Sequence, residues 1–313
     1  MAGILVTDAP IDIVGFGAVA VDDLIFVDHY PPADAKTAVR HRERQCGGLA
    51  ATALVAAARL GAHCAYCGTL GRDELSQFAE RCLRCEGIDL SRLVRHDNAQ
   101  PIHSVIVIDQ ASNTRNIFFD NHRFGGPDPA SIDPVWLRRA QVLLIDHLCL
   151  DGMVWAARVG RDAQIPLVAD FEGDQDDLRF AELMDLVDHL IVSRDFAVNL
   201  TGTADPSAAV QALWSSQREV VVVTCGAEGG WYMDDAQEPR HCPAFPVHVL
   251  DTTGCGDVFH GAYAVALSKG LDLSERIRYA SAAAALTATG LGGQTTAPTH
   301  EMVSRLLQEK FVP

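Results

Sequence analysis

The most informative stretch of this sequence is Asp251-Thr252-Thr253-Gly254-Cys255-Gly256-Asp257, which leads directly into a long helical pattern. Its glycines allow a tight turn, so the amides of Gly254, Cys255 and Gly256 can converge ahead of a helix. Converging amides at the positive end of a helix dipole form a pocket suited to the γ-phosphate of a nucleotide. Asp257, in the first turn, is expected to stay ionised there and to accept the proton of an attacking hydroxyl.

A simpler explanation is that Asp251 or Thr252 merely caps a helix. Asp, Thr, Gly, Gly and Asp at positions 1, 3, 4, 6 and 7 of the heptapeptide occur by chance in on the order of one window per million. The full pattern therefore favours the phosphate-binding interpretation.

Outward from this motif, short apolar runs alternate with longer helical patterns, as in βαβ units. Strands are predicted at Ile11–Gly17, His63–Cys67, Val142–Asp146, Pro166–Asp170, His189–Ser193 and Val220–Cys225. Helices are predicted at Gly48–Leu60, Asp73–Cys85, Gly152–Asp162, Pro206–Gln217, Asp257–Ser268, Leu273–Ala288 and His300–Glu309. This order predicts an α/β fold with three layers, helix–sheet–helix, around a mostly parallel sheet.

Two segments depart from the alternation, at about 22–44 and 102–123. The first contains strand-like Leu24-Ile25-Phe26-Val27 before Pro31-Pro32, and the second alternates around a Ser112-Asn113 turn. They predict a small antiparallel sheet inserted into a single domain that spans residues 1–313. A few strands without helices cannot cover both faces, so we expect a lid over a cleft that is shared in a homodimer.

The charge balance restricts the partners of the chain. Lys and Arg number 25 against 41 Asp and Glu, a net charge of −16, which repels nucleic acid and anionic lipid. No apolar run reaches the roughly 18 to 20 residues that span a bilayer, and Met1–Pro10 has no basic residue. We therefore expect a cytoplasmic protein that binds neither nucleic acid nor membrane, with its nine cysteines reduced.

Two cysteine pairs imitate a zinc motif, Cys64 with Cys67 and Cys82 with Cys85. A separation of three on a strand sends the sulfur atoms of Cys64 and Cys67 to opposite faces, where they cannot easily share one ion. Cys82 lies on the apolar stripe of a predicted helix, where cysteine acts as a small hydrophobe. The local structure thus argues against zinc.

The glycine-rich motif and nearly the whole chain resemble the ribokinase, or PfkB, family of carbohydrate kinases, whose C-terminal signature is Asp-Thr-x-Gly-x-Gly-Asp. The resemblance implies a ribokinase-like fold and phosphorylation of a sugar hydroxyl with ATP and Mg²⁺. It places the catalytic base on Asp257 and the anion hole on Gly254, Cys255 and Gly256. The helix Asp257-Val258-Phe259-His260-Gly261-Ala262 is especially similar to ketose and sulfofructose kinases.

Further roles follow from the resemblance one position at a time. The implied sugar-binding residues are Asp22, Gly47, Gly48 and Thr52, the last standing where many members have Asn. The implied nucleotide-binding residues are Thr224, Gly226, Gly229 and Ser281. The implied ligands of a monovalent cation such as K⁺ are Asp251, Thr253, Thr287, Gly290, Gly292 and Thr296. Without the resemblance, Gly47-Gly48 is equally well explained as a simple helix start, and the others as ordinary turns and packing.

Two positions depart from the family pattern. Members commonly carry Asn-x-x-Glu, tied to magnesium and phosphate, where this chain has Ser193-Arg194-Asp195-Phe196, so Asp195 is the substitute carboxylate. Cys255 stands where Ala or Gly is usual, and a thiol at a helix N-terminus is expected to have a lowered pKa and to oxidise readily.

Three alternatives to a neutral-sugar kinase remain at this point. Gly15-Phe16-Gly17-Ala18-Val19-Ala20 matches a dinucleotide-binding pattern, but a strand-like segment follows it instead of a helix. The lost Asn-x-x-Glu motif allows a non-catalytic sugar or nucleotide sensor on the same fold. Lys36, Arg115 and Arg123 suggest an anionic sugar, such as sulfofructose or a sugar phosphate. A ketose or pentose attacking through a primary hydroxyl is our first choice.

Overall fold

Strands and helices alternate along the chain in the computed structural model, which describes residues 10–112, 114–172 and 176–309. In this part of the chain the strands are β1 (Ile11–Phe16), β2 (Ala20–Val27), β3 (His41–Gly47), β4 (Cys64–Cys67), β5 (Thr69–Leu70), β6 (Val94–Arg95), β7 (Ile102–Asp109), β8 (Thr114–Asp120), β9 (Ala140–Asp146), β10 (Leu167–Asp170), β11 (His189–Ser193), β12 (Val220–Thr224), β13 (Gly230–Met233) and β14 (Arg240–Cys242). The helices are α1 (Leu49–Arg59), α2 (Glu74–Cys85), α3 (Pro134–Leu137), α4 (Leu150–Ala163), α5 (Leu178–Leu186), α6 (Arg194–Thr201), α7 (Pro206–Leu213), α8 (Cys255–Ser268), α9 (Leu273–Thr287), α10 (Gly293–Thr296) and α11 (His300–Glu309).

The main sheet has the strand order β14-β13-β12-β11-β10-β9-β1-β4. The pairs from β4 to β12 are parallel, and β13 and β14 add an antiparallel edge. Its central strands are continuous apolar runs because both faces of the sheet are covered by helices. Successive residues of β1 enter different cores, Ile13 on one face and Val14 on the other. The predicted three-layer, mostly parallel α/β fold is confirmed.

Helices α1, α8 and α9 cover one face of the main sheet, and α4 to α7 cover the other. The predicted strands are present with ends within two residues, but α7 ends at Leu213 instead of Gln217. Two serines follow it, and serine favours turns because its hydroxyl competes for backbone groups. The sequence did not predict helices α3, α5, α6 and α10 or strands β5, β6, β13 and β14.

The inserted sheet, which we call the lid, has the order β3-β2-β7-β8. The outer pairs, β2 with β3 and β7 with β8, are antiparallel as predicted, whereas the central pair β2 and β7 is parallel. The lid is therefore a mixed sheet, because β7 returns from 75 residues further along the chain and enters beside β2 in the same direction. The predicted Ser112-Asn113 turn includes Asn113, which lies outside the described residues.

The dinucleotide-like Gly15-Phe16-Gly17 segment leads into strand β2, not into a helix. Gly17 is required for another reason, since a Cβ at this position would lie 2.1 Å from Oδ2 of Asp146. The segment thus makes room for a carboxylate and offers no helix N-terminus to a pyrophosphate. The dinucleotide interpretation is wrong for this reason.

Two further expectations concern single elements. Cys64 and Cys67 of β4 pack into different hydrophobic cores, so they lie on opposite faces of the sheet as predicted. Among the described helices, none is both long and apolar enough to cross a lipid bilayer.

Close packing of α1 against α8 depends on Gly261. A Cβ at this position would lie 2.1 Å from the carbonyl oxygen of Ala53, a backbone atom that cannot rotate away. We expect Gly261→Ala to lower the free energy of unfolding by about 2 kcal/mol, because overpacking forces the helices apart. Urea unfolding measures this change. Ser268→Ala, at the end of the same helix, is the control, and equal stability of the two variants would contradict the packing argument.

Candidate active site

The turn ahead of α8 is built on Gly254, whose backbone is left-handed with φ 74° and ψ 0°. A Cβ there would lie 2.5 Å from Cα of Gly293, so both the conformation and the close approach require glycine. Helix α8 begins at Cys255, two residues before its predicted start, and Val258 N donates to Gly254 O at 2.9 Å. The amides of residues 255–257 thus belong to the first turn, where an α-helix supplies no acceptor.

Asp257 is half-buried in this first turn. Burial raises its pKa well above the ordinary 3.8, and neighbouring negative charges raise it further. These charges belong to Asp170, Glu172, Asp146 and Asp22. The helix dipole does not keep the pKa of Asp257 low, because burial and like charges outweigh it. A carboxylate with a raised pKa is a stronger general base for an alcohol.

Asp146 and Asp170 end two neighbouring parallel strands, β9 and β10, and are paired in register. Oδ2 of Asp146 accepts a hydrogen bond from Ala18 N, and Oδ1 accepts one from Leu148 N at 2.9 Å. Burial raises the pKa of Asp146 to about 7 despite these two donors. Both acids were missed as site residues, although each ends a predicted strand and the carboxyl ends of parallel strands meet at one edge.

His260 joins α8 to the main sheet. Its Nδ1 lies 2.8 Å from Gly256 O and 3.2 Å from Oδ2 of Asp170, and its Nε2 lies 3.0 Å from Ile191 O. Both His260 and Asp170 are almost fully buried. These contacts hold the first turn of α8 against the ends of β10 and β11, directly behind Asp257.

The predicted sugar-binding residues Asp22 and Gly47 lie close together on the neighbouring strands β2 and β3, two positions apart in register. A Cβ on Gly47 would lie 2.4 Å from Oδ2 of Asp22, so the glycine leaves room for this carboxylate. Burial raises the pKa of Asp22, although it hydrogen-bonds Ser104 of β7. Because the charge of Asp22 acts on Asp257, the structure brings the lid and the predicted base to one site.

The other predicted sugar-binding residues differ in their surroundings. Gly48 caps the N-terminus of α1. Thr52 is buried in that helix, and its hydroxyl accepts a hydrogen bond from Nε2 of Gln294 at 3.2 Å. Lys36 lies in the exposed segment between β2 and β3, and among the described residues no hydrogen bond or ion pair joins it to Asp22 or Asp257.

The predicted nucleotide-binding residues gather beyond β12. Thr224 ends this strand beside Ser193 of β11. Gly226 begins one turn of 3-10 helix, and Gly229 follows it. Ser281 of α9 hydrogen-bonds Cys242. A cavity of about 400 Å³ lies beside β13 and β14, and the residues that line it include Tyr232, Cys242 and Arg278.

The segment that replaces Asn-x-x-Glu forms the start of α6. The hydroxyl of Ser193 caps this helix by accepting from Phe196 N at 3.2 Å. Arg194 donates to both carboxylate oxygens of Glu228, at 2.8 and 2.6 Å. Asp195 is exposed in the first turn, so its carboxylate oxygens can meet a hydrated cation, the form in which Mg²⁺ usually binds.

Direct contacts link residues at the predicted monovalent-cation site. Oγ1 of Thr296 donates to Gly292 O at 2.6 Å and to Thr287 O at 3.0 Å. Oδ2 of Asp251 accepts from Gly292 N at 3.0 Å, and its Oδ1 accepts from Thr253 N at 2.9 Å. A Cβ on the remaining member, Gly290, would lie 2.4 Å from Cγ2 of Thr296. The structure therefore brings these positions together.

Arg115 of β8 connects the lid to the same turn. Its Nη1 donates to Oγ1 of Thr253 at 2.9 Å and to Oδ1 of Asp251 at 3.3 Å. Burial by itself would raise the pKa of Asp251, but hydrogen bonds from Gly292 and Thr253, with the charge of Arg115, hold that pKa below its ordinary value.

The Cys255 thiol is not activated. Burial and the negative charges of Asp251 and Asp257 raise its pKa to about 11. The expected lowering by the helix N-terminus is wrong, because the surrounding carboxylates oppose the dipole.

A comparison with protein families matches residues 11–300 to a model described as "pfkB family carbohydrate kinase". Ribokinase of Haemophilus influenzae is 26% identical over 305 residues, which cover 93% of this chain and 97% of that protein. Fructokinase-1 of Oryza sativa subsp. japonica is 27% identical over 325 residues, which cover 95% of this chain and 97% of that protein.

The fold is also similar to that of a solved structure. Arabidopsis thaliana ribokinase, solved with ribose and ATP, superposes with a TM-score of 0.84 at 24% identity and covers 96% of this chain and 99% of that chain.

Asp146 makes stability depend on pH. Its pKa is about 7 in the folded protein against 3.8 ordinarily, so between these values the folded state holds a proton that the unfolded chain releases. The contribution of this proton binding to the free energy of unfolding is fully present below the pKa of the unfolded state. It is lost as the pH rises through 7, the pKa of Asp146 in the folded state. From about pH 5 to about pH 8 we expect wild type to lose about 2 kcal/mol more stability than Asp146→Asn in urea unfolding.

The control is Asp162→Asn, which changes an exposed carboxyl group on α4. It should follow the wild-type dependence. Parallel curves for wild type and Asp146→Asn would show that Asp146 does not hold this proton.

Proposed function

Because the chain belongs to the pfkB family of carbohydrate kinases, we propose that it transfers the γ-phosphoryl group of ATP to a primary hydroxyl of a neutral ketose or pentose. The observation that carries this proposal is the position of Asp257. A carboxyl group with a raised pKa lies in the first turn of α8, at the positive end of the helix, where the charge of Asp22 of the lid acts on it.

The chemistry divides between Asp257 and the backbone around it. The carboxylate of Asp257 accepts the proton of the sugar hydroxyl as the oxygen attacks phosphorus. Amides of the segment Gly254–Gly256, with the positive end of α8, stabilise the negative charge on the phosphoryl oxygens. His260 supports this step by holding the Gly256 carbonyl, so the turn keeps its orientation.

The charges around Asp257 support a neutral sugar. Asp22, Asp146, Asp170 and Glu172 make the surroundings negative, which suits hydroxyl donors and repels a sulfonate or a phosphate. The three basic residues that were expected to bind an anionic sugar do not offset this negative charge. Arg115 contacts Asp251 and Thr253, while Arg123 donates to the carbonyl oxygens of Asn98 and Asp97. Lys36 remains exposed between β2 and β3.

We assign ATP to the region of Thr224, Gly226, Gly229 and Ser281, next to the cavity lined by Cys242, which hydrogen-bonds Ser281 and approaches Gly229 closely. We place Mg²⁺ with its phosphates, where the ion neutralises charge during transfer, and Asp195 is the exposed carboxylate that can hold its water shell. The oxygen cluster of Thr287, Gly292 and Thr296 has the ligand type that K⁺ prefers, so we assign the monovalent cation there.

Asp257→Asn tests the proposed base. The change preserves size but removes the proton acceptor, so we expect the rate of ADP release to fall by about 10³-fold. The measurement is coupled ADP release with a panel that includes ribose and fructose. Thermal shift with a non-hydrolysable ATP analogue and each sugar should still show stabilisation of the variant.

The outcomes separate the alternatives. If ATP and a sugar stabilise both proteins but neither releases ADP, the chain is a sensor. If sulfofructose or a sugar phosphate is the best substrate, the neutral-sugar proposal is wrong. The control Asp162→Asn should turn over like wild type.

We also propose that the chain forms a homodimer through the lid. Strand β8 lies at one edge of this sheet and exposes Ile117, Phe118 and Phe119 to solvent, the last at 66%. Exposed apolar side chains next to an unpaired strand edge favour association with a second copy.

Replacing two of these side chains should separate the subunits. We expect the double variant Ile117→Lys, Phe119→Lys to sediment as a monomer, because two charges would have to be buried in the interface. Val135→Lys, which changes an exposed apolar residue on α3, should remain dimeric. A monomeric wild type at micromolar concentration would refute the dimer.

A further inference from the structure

Cys46 and Cys82 meet where the lid packs against α2. Cys46 is the penultimate residue of β3 and is buried, whereas Cys82 lies half-buried in α2. Cys82 packs against the hydrophobic core that contains Cys46, and a hydrogen bond between the two thiols shifts both of their pKa values. Both cysteines are free in the structure, so two thiols are available to each other.

Other contacts fix the surroundings of this pair. Glu74, Phe78 and Cys82 are spaced by four residues and form one stripe along α2. Arg44 donates to Oε1 of Glu74 at 2.9 Å, and its guanidinium lies 6.0 Å from the ring centroid of Phe78. Arg44 and Cys46 are two apart on a strand and share a face. The thiol pair therefore continues an established contact between β3 and α2.

The two thiols differ in reactivity. The hydrogen bond from Cys46 lowers the pKa of Cys82 to about 7, with help from the charge of Arg81. The same hydrogen bond, with burial, raises the pKa of Cys46. Cys82 is thus the nucleophilic member near neutral pH, and Cys46 is the adjacent resolving thiol.

We propose that Cys46 and Cys82 are a modification site at which a peroxide forms a disulfide, tying lid strand β3 to α2. The thiolate sulfur of Cys82 attacks one peroxide oxygen; the O–O bond breaks, and the released hydroxide takes up a proton to become water. The sulfur of Cys46 then attacks the resulting sulfenic acid, forming the S–S bond. The hydroxyl group leaves with the proton of Cys46 as a second water. Two thiols lose two electrons, and the peroxide gains them.

The disulfide has a consequence for the site, which rests on the proposed function. Cys46 directly precedes Gly47, whose missing side chain makes room for Asp22. A covalent bond to α2 restrains this end of β3, so the lid closes less readily over a sugar. We expect a several-fold rise in the sugar KM that a dithiol reductant reverses.

Mass spectrometry of the full chain after hydrogen peroxide tests the modification without relying on activity. We expect wild type and the control Cys85→Ala, which changes an exposed cysteine on the same helix, to lose about 2 Da and to yield a linked peptide of Cys46 and Cys82. Cys82→Ala and Cys46→Ala should not. Because Cys82 is only half-buried, its variant keeps the test valid if Cys46→Ala fails to fold.

Two results would overturn the proposal, namely both thiols still free after treatment, or oxygen added to Cys82 without a linked peptide. A linked peptide with an unchanged KM for ribose or fructose would remove the effect on the lid. Failure of the untreated protein to release ADP would instead count against the proposed function, and the mass result would stand independently.

Discussion

The structure depends on how it accommodates several carboxyl groups that are shielded from water at one edge of the main sheet. Asp146 and Asp170 end adjacent strands and are buried, and Asp257 faces them from α8. Buried carboxylates are costly unless they are hydrogen-bonded or paired, or unless their pKa rises so that they bind a proton more readily. Backbone amides donate hydrogen bonds to Asp146, and Nδ1 of His260 lies 3.2 Å from Oδ2 of Asp170. The pKa of Asp257 is raised.

The same constraint connects the fold to the chemistry. Helix α8 must present its N-terminus to this edge, and His260 holds it there through carbonyl oxygens of two different elements. The positive helix end is then available to a phosphoryl group, while the acids around it raise the proton affinity of Asp257. The backbone at this site attracts phosphate, and one carboxylate attracts protons. Both properties suit phosphoryl transfer to an alcohol.

The lid completes the site through long-range pairing. Parallel pairing of β2 with β7 brings Ser104 beside Asp22, and Arg115 of β8 reaches the turn at Thr253. One small sheet therefore contacts both the predicted sugar side and the predicted phosphate side. Its remaining exposed apolar residues leave it suited to contact a second copy as well.

The sequence by itself determined the three-layer fold, because alternating apolar runs and helical periods are local and the central strands are covered on both faces. It also determined the turn at Gly254, since glycine is the residue that tolerates its left-handed backbone. Only the tertiary structure decided which acids surround Asp257, that its pKa rises, and that the Cys255 thiol is not activated. Burial and charge act through space, between residues such as Asp22 and Asp257 that are far apart in the chain, and no local pattern encodes such distances.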